Sequence, residues 1–174
     1  VGAGLTAGSG ALYIAGSSDC VAVVLDAPAP DARWVNTAWI EPRTWLGIGT
    51  TTSSGVSVDW FCRELLETDG PDAAARMAAL ASQAPAGSNG VLFLPHLQGE
   101  RTPIWDPRAR GCFLGLTASA AQADLARAVF EGTAFGLRLV FETIDDVQGT
   151  AVSDIRVVGG GAQNALWTQI KADV

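Results

Sequence analysis

Val157-Val158-Gly159-Gly160-Gly161-Ala162-Gln163-Asn164 is the stretch on which the fold turns. Residues 154–158 read as a short β-branched strand, three glycines end it, and residues 164–174 read as a helix without a final cap. A strand that runs through glycines into a helix brings bare backbone close to a ligand, with unpaired helix N–H groups facing it. A tight strand-to-helix turn with no ligand would carry the same residues, so both readings stand at this point. The triplet is not a dinucleotide fingerprint, because Gly-x-Gly-x-x-Gly would need glycine at Ala162 or Asn164.

Working outward, residues 119–146 form the longest helical pattern, with Leu125, Val129, Phe130, Ala134, Leu137 and Phe141 on one apolar face. Residues 98–115, rich in Arg, Pro, Gly and Trp, predict a long irregular segment whose apolar content argues against disorder. Before it, residues 73–84 predict an alanine-rich helix and residues 91–94 a buried strand. Val56, Val58, Trp60, Phe61, Leu65 and Leu66 mark another amphipathic helix. The apolar runs at 11–15, 21–25 and 34–40, parted by Gly16-Ser17-Ser18-Asp19 and Pro28-Ala29-Pro30-Asp31, predict consecutive antiparallel strands, and residues 45–48 a fourth. This order is α/β, a mixed sheet flanked by helices, and 174 residues make one domain with its own core.

Eighteen Asp+Glu against eleven Lys+Arg give a net charge of −7. That is no footprint for nucleic acid or an anionic membrane. No run approaches the roughly 18 apolar residues of a membrane-spanning helix, and no signal peptide opens the chain, so it reads as cytoplasmic. Cys20, Cys62 and Cys112 fit neither a disulfide framework nor zinc spacing and read as plain buried thiols; no metal-ligating set is assigned. His96, the only histidine, closes Phe93-Leu94-Pro95-His96 and reads as structural. Lys171, the only lysine, follows no glycine-rich loop, so the Gly-Lys-Ser/Thr phosphate loop is absent.

Two further loops combine small residues with hydroxyls beside strand ends. Gly16-Ser17-Ser18 is either a plain hairpin or a donor of amides and hydroxyls to phosphate oxygens. In Thr50-Thr51-Thr52-Ser53-Ser54-Gly55, Ser53 or Ser54 is either a helix N-cap or a phosphate contact. Together with the glycine triplet they could surround a triphosphate without lysine.

Gly111-x-Phe113-x-Gly115-Leu116, seven residues, Asp124-Leu125, two residues, then Ala128-Val129-Phe130-Glu131, resembles the second signature of the FGGY family of carbohydrate kinases at every position. Phe93-Leu94-Pro95, Gly99-Glu100-Arg101-Thr102-Pro103, Trp105-Asp106-Pro107, Ala109-Arg110-Gly111 and the terminal glycine loop with Trp167, Gln169 and Ala172-Asp173 extend the likeness over residues 1–174. Within the family the chain looks most like the xylulokinases. The resemblance implies an actin-like, ribonuclease-H-like C-terminal domain. It also implies an absent N-terminal domain that binds the sugar, with ATP between the two.

Carried over by position, Gly16, Ser17 and Ser18 match the phosphate loop, and Gly55 and Asp59 a nucleotide-contacting turn. Gly160, Gly161 and Asn164 match the adenosine loop, where valine at Gly161 is expected to raise the ATP requirement. Residues 100–111 match a hinge or cleft-facing loop. The family's general base is an aspartate shortly before Gly-Ala-Gly. Here Val1-Gly2-Ala3-Gly4 opens the chain, so the expected base lies upstream of Val1, residues 1–174 contribute no catalytic side chain, and Asp19 does not match it.

The implied reaction moves the γ-phosphoryl group of ATP, with Mg2+, to a sugar hydroxyl, turning D-xylulose into xylulose 5-phosphate. This chain would be the nucleotide-binding half, truncated at both ends and inactive alone. Kinases of gluconate, ribulose or glycerol are the alternatives, as is a nucleotide-binding domain without catalysis. The partners are the sugar, ATP and the N-terminal domain, with a homodimer left open.

Overall fold

The computed structural model describes residues 2–174; Val1 of the opening Val1-Gly2-Ala3-Gly4 lies outside the described residues. In chain order the elements are β1 (Ala11–Ala15), β2 (Asp19–Leu25), β3 (Val35–Ala38), β4 (Trp45–Thr50), α1 (Gly55–Leu65), α2 (Ala73–Ala81), β5 (Leu92–Leu94), β6 (Cys112–Leu114), α3 (Gln122–Gln148), β7 (Ile155–Val158) and α4 (Ala165–Asp173). The main sheet has the order β3-β4-β2-β1-β7. β1 and β2 are an antiparallel hairpin with Ala15 opposite Asp19, while β7 joins the other side of β1 in parallel. The sheet is therefore mixed, as the sequence implies. The expected run of sequential neighbours is corrected at one point: β3 pairs with β4, not with β2.

Side-chain periodicity decides what each element buries. β1 turns Ala11, Tyr13 and Ala15 inward and Ile14 outward, the period-2 pattern of a half-covered strand. Across that face lies α3, whose Leu137, Val140 and Ile144 pack on Tyr13, Val21, Val23 and Trp34. The N-terminal half of α3 packs Val129, Phe130 and Ala134 among Phe61 and Cys62 of α1, Met77 of α2 and Trp167 and Ile170 of α4. Phe61, Phe130 and Met77 are fully buried, each contributing roughly 1.5–3 kcal/mol of apolar transfer. Gly149, at φ 73, ends α3 in the left-handed conformation and donates its N–H to the Asp145 carbonyl at 2.9 Å.

Two local expectations change. Residues 91–94 are not a buried strand of the main sheet. β5 pairs only with β6, so it alternates: Phe93 is buried against Trp60 and Phe113, whereas Leu92 and Leu94 are exposed. The segment 98–115 is likewise not wholly irregular, since it contains β6. Of the three thiols only Cys62 is buried; Cys20 is half-buried and Cys112 is exposed on β6, where strand alternation turns it outward.

The signature residues form scaffold. Gly115, at φ 79, sits where a Cβ would strike the Gly90 carbonyl. Asp124 accepts from the Ala121 N–H and the Asn89 amide, both at 2.8 Å. Glu131 accepts from the Gly87 N–H at 3.0 Å, the Ser88 hydroxyl at 2.8 Å and Arg127 Nε at 2.7 Å. Together they bind the 87–90 turn to α3. Among the described residues, no helix is long and apolar enough to cross a membrane.

Candidate functional site

The glycine loop after β7 is built from three glycines that do different things. Gly159 has φ 101, and a Cβ there would collide with the Ala15 carbonyl, so no other residue fits. Gly160 begins a 3-10 turn, 160–163, and nothing lies within 4 Å of where its Cβ would stand. At Gly161 a Cβ would sit 3.0 Å from the Ala15 Cβ and 3.2 Å from the Trp167 ring, facing the interior. Asn164 then caps α4: its Oδ1 accepts the Trp167 N–H at 3.1 Å, and its Nδ2 donates to the Ala74 carbonyl at 3.5 Å, tying α4 to α2. The open α4 terminus expected from the sequence is thus partly closed by its own cap.

The β1–β2 hairpin supplies the opposite wall. Its turn closes through Gly16 N–H to the Ser18 carbonyl at 3.2 Å. The start of α1 is fastened to it: Gly55 N–H donates to the Gly16 carbonyl at 3.1 Å, and the Ser54 and Val56 amides to the Ser17 carbonyl at 3.1 and 3.0 Å. A Cβ on Gly55 would stand 2.5 Å from the Gly16 oxygen, so this junction requires glycine for space.

Between these walls lies a cavity of about 290 Å³, onto which Gly16, Ser17, Gly55, Asp59, Gly160, Gly161 and Asn164 all open, together with Trp167. A second cavity, about 420 Å³, shares Ala74, Gly160 and Asn164 with it and continues between α2 and α4 past Ala75, Ala78 and Gln163. The structure therefore brings together seven of the eight candidate positions. Ser18 is the exception, because its carbonyl closes the hairpin and it lines neither cavity.

The hydroxyl-rich stretch 50–55 is corrected. Thr51, Ser53 and Ser54 are buried, and the Thr51 hydroxyl accepts the Asp19 N–H at 3.0 Å. Ser54 occupies the N-cap position without making a side-chain cap bond. Only Gly55 of that stretch reaches the cavity. The direction at Gly161 also moves the steric expectation: valine there meets Ala15 and Trp167, and Gly160 is the position that opens into free space.

Residues 100–111 line neither cavity. Glu100 accepts from the Thr52 N–H at 2.7 Å and the Arg101 N–H at 2.8 Å and contacts His96 Nδ1 at 2.9 Å. His96 is structural, as its strand-end setting implies. Thr102 N–H to the Thr50 carbonyl at 2.9 Å completes the attachment of this segment behind the β4–α1 connection.

One cluster escaped the sequence reading. Tyr13 donates its hydroxyl to Asp19 Oδ1 at 2.7 Å. The Lys171 ammonium lies 3.8 Å from the same oxygen, hydrogen-bonds the Tyr13 hydroxyl and stands 3.6 Å over the Trp167 ring. Burial pushes the Asp19 carboxyl up against the opposing pull of Lys171, and burial lowers the Lys171 ammonium to about 8. The available signal was an aspartate at the head of the Val21–Leu25 apolar run, plus a lone lysine seven residues, about two turns, beyond Asn164.

Comparison with known proteins gives a consistent picture. A xylulose kinase from Staphylococcus epidermidis is 35% identical over 135 residues, 76% of this chain and 26% of its own. A gluconokinase from Bacillus subtilis is 29% identical over 167 residues, 91% of this chain and 33% of its own. The crystal structure of a xylulose kinase from Rhodospirillum rubrum superposes with a TM-score of 0.89 at 29% identity, covering 98% of this chain and 34% of that one. The fold is the actin-like, ribonuclease-H-like one. The chain spans about a quarter to a third of the length of the curated relatives it matches. Residues 11–174 match the family model for the C-terminal domain of these kinases, and the chain belongs to the FGGY family of carbohydrate kinases.

Proposed function

We propose that the chain is the nucleotide-binding half of an ATP-dependent sugar kinase whose acceptor is a hydroxyl of D-xylulose. One observation carries this: residues from three separate loops that the resemblance matches to nucleotide contacts converge on one cavity, which adjoins a second between α2 and α4. Its size suits a small-molecule site, and Gly160 leaves an unobstructed surface for a ligand to lie against.

In this reading Ser17 and the hairpin meet the phosphate end, Gly160 and Asn164 the adenosine end, and Gly55 keeps α1 close enough to hold the hairpin. Gly161 acts from behind, by letting the loop pack on Ala15 and Trp167. Mg2+ is expected to enter with the phosphates, to neutralise their charge, and to be held largely by them and by carboxylates outside residues 1–174. By the resemblance, the proton acceptor for the sugar hydroxyl is expected to be an aspartate that residues 1–174 do not supply. A cytoplasmic enzyme follows from the same reading. A homodimer also belongs to it, supported by the uncharged outer face of the β5–β6 pair, where Leu92, Leu94 and Leu114 are exposed.

Gluconate is the second acceptor to consider, favoured by the gluconokinase whose likeness covers 91% of the chain. The test is a panel of D-xylulose, ribulose, gluconate and glycerol presented with ATP to the complete gene product, with ADP release as readout. D-xylulose should give the highest kcat/KM, and the 174-residue chain alone should release no sugar-dependent ADP. A preference for gluconate reverses the order of the two readings, and turnover by the isolated chain removes the division into halves.

A further inference from the structure

We propose that Lys171 is a positioning residue for the nucleotide: its ammonium, held between Asp19 and the Trp167 ring, sets the spacing of the hairpin wall and the α4 wall of the cavity. The inference rests on the nucleotide reading of that cavity and adds a residue that does not touch it.

Asp19 is the first residue of β2, directly after Gly16-Ser17-Ser18. Its backbone is fixed to β4's end by Thr51 N–H to its carbonyl at 3.0 Å and by its own N–H to the Thr51 hydroxyl at 3.0 Å. The carboxylate is fully buried and can move only with the hairpin. On the other side, Trp167 lines the cavity, touches the position of Gly161, and is locked by Nε1 donating to the Thr133 hydroxyl at 2.9 Å. Lys171 bridges the two, with its side chain only 8% exposed. One ammonium thus spans both walls.

The cluster is not arranged for stability. The Ser53 hydroxyl is buried with no hydrogen-bond partner, and replacing a buried ion pair by apolar side chains of the same shape is often neutral or stabilising. Its arrangement is better explained by geometry than by energy. The groups facing Lys171 are Asp19 from β2 and Tyr13 from β1, with Glu100 adding its charge to the field at Asp19. α3 presents only Leu137 and Phe141 to the adjoining pocket. Loss of the Lys171 proton, near pH 8, therefore removes the only cation in the cluster.

The test is calorimetric titration of ADP into the chain and into Lys171→Met, Lys171→Arg and the double variant Asp19→Asn/Lys171→Met, at pH 7 and pH 9, with folding checked by circular dichroism. Lys171→Met should weaken ADP about 10-fold at pH 7, within the usual range for coupling between separate sites. Lys171→Arg should recover most of the loss. The parent should weaken by a similar factor between pH 7 and 9, with a midpoint near 8 that Lys171→Met lacks. If Lys171→Met does not fold, the double variant, which leaves no unpaired charge, carries the same expectation. Parent-like ADP affinity in whichever of these variants folds overturns this inference alone. Failure of the parent to bind ADP overturns the nucleotide reading and this inference with it.

Discussion

Gly160→Val separates ligand space from backbone strain. Gly160 does not occupy the left-handed region, and no atom lies within 4 Å of its missing Cβ, so valine fits the empty chain without a clash. Restricting the unfolded backbone at such a position stabilises by about 0.4–1 kcal/mol. In a chain of this length that moves Tm by no more than about 2–4 °C. The added carbons nevertheless stand where the two cavities meet, because Gly160 lines both. A ligand lying across that junction must shift or press against the new side chain. Overpacking of that kind costs about 1–3 kcal/mol, or roughly 5- to 150-fold in Kd.

Gly161→Val is the opposite perturbation. Its Cβ meets Ala15 at 3.0 Å and Trp167 at 3.2 Å, so it should lose about 1–3 kcal/mol of stability before any ligand is added. Calorimetric ADP titration paired with thermal melting distinguishes the two. A Gly160→Val chain that binds ADP with the parent's Kd and melts with the parent would show that no ligand crosses this junction, and the reasoning from the cavity would fail.

Three other expectations follow from particular contacts. Lys171 holds its proton to its ordinary 10.5 when unfolded but loses it at about 8 when folded; between those values the unfolded state binds more protons, so rising pH favours the fold. The unfolding free energy of the parent minus that of Lys171→Met should rise on the order of 3 kcal/mol from pH 7 to 11 in urea melts, and a flat difference would contradict the burial of the ammonium. Glu131→Ala strips acceptors from Gly87, Ser88 and a nearly buried Arg127; it should lower stability by about 3–5 kcal/mol, and a loss below about 1 kcal/mol would remove its anchoring role. A thiol reagent should label Cys112 quickly in the folded chain and Cys62, whose thiol burial pushes up, only on unfolding; equal labelling of both would refute the outward turn of β6.

Periodicity and glycine placement made the elements, the mixed sheet and most of the cavity readable in advance. What they could not show is direction. Three adjacent glycines look alike in sequence, yet one is required by φ, one by packing and one leaves space, because only the folded backbone fixes where each Cα–Cβ bond would point. Amide bookkeeping was equally hidden: the Ser54, Gly55 and Val56 N–H groups look free at a helix start, but the hairpin carbonyls already occupy them. The strand order failed at β3 because a short exposed strand carries little signal about which neighbour it joins. The signature that betrays the family, with Asp124 and Glu131 at its centre, speaks for the scaffold around the 87–90 turn and says little about the cavity itself.

Among the described residues no lysine or arginine lines either cavity, and Asp59 is the single charge there. With the first α1 amides already engaged, the hairpin at Gly16 and Ser17 meets the phosphate end without any fixed positive charge. Nucleotide binding to this half should therefore change little between low and high salt. Telling a triphosphate from its products then becomes a task for two surfaces meeting at once, a coincidence detector in which neither half reads the whole molecule.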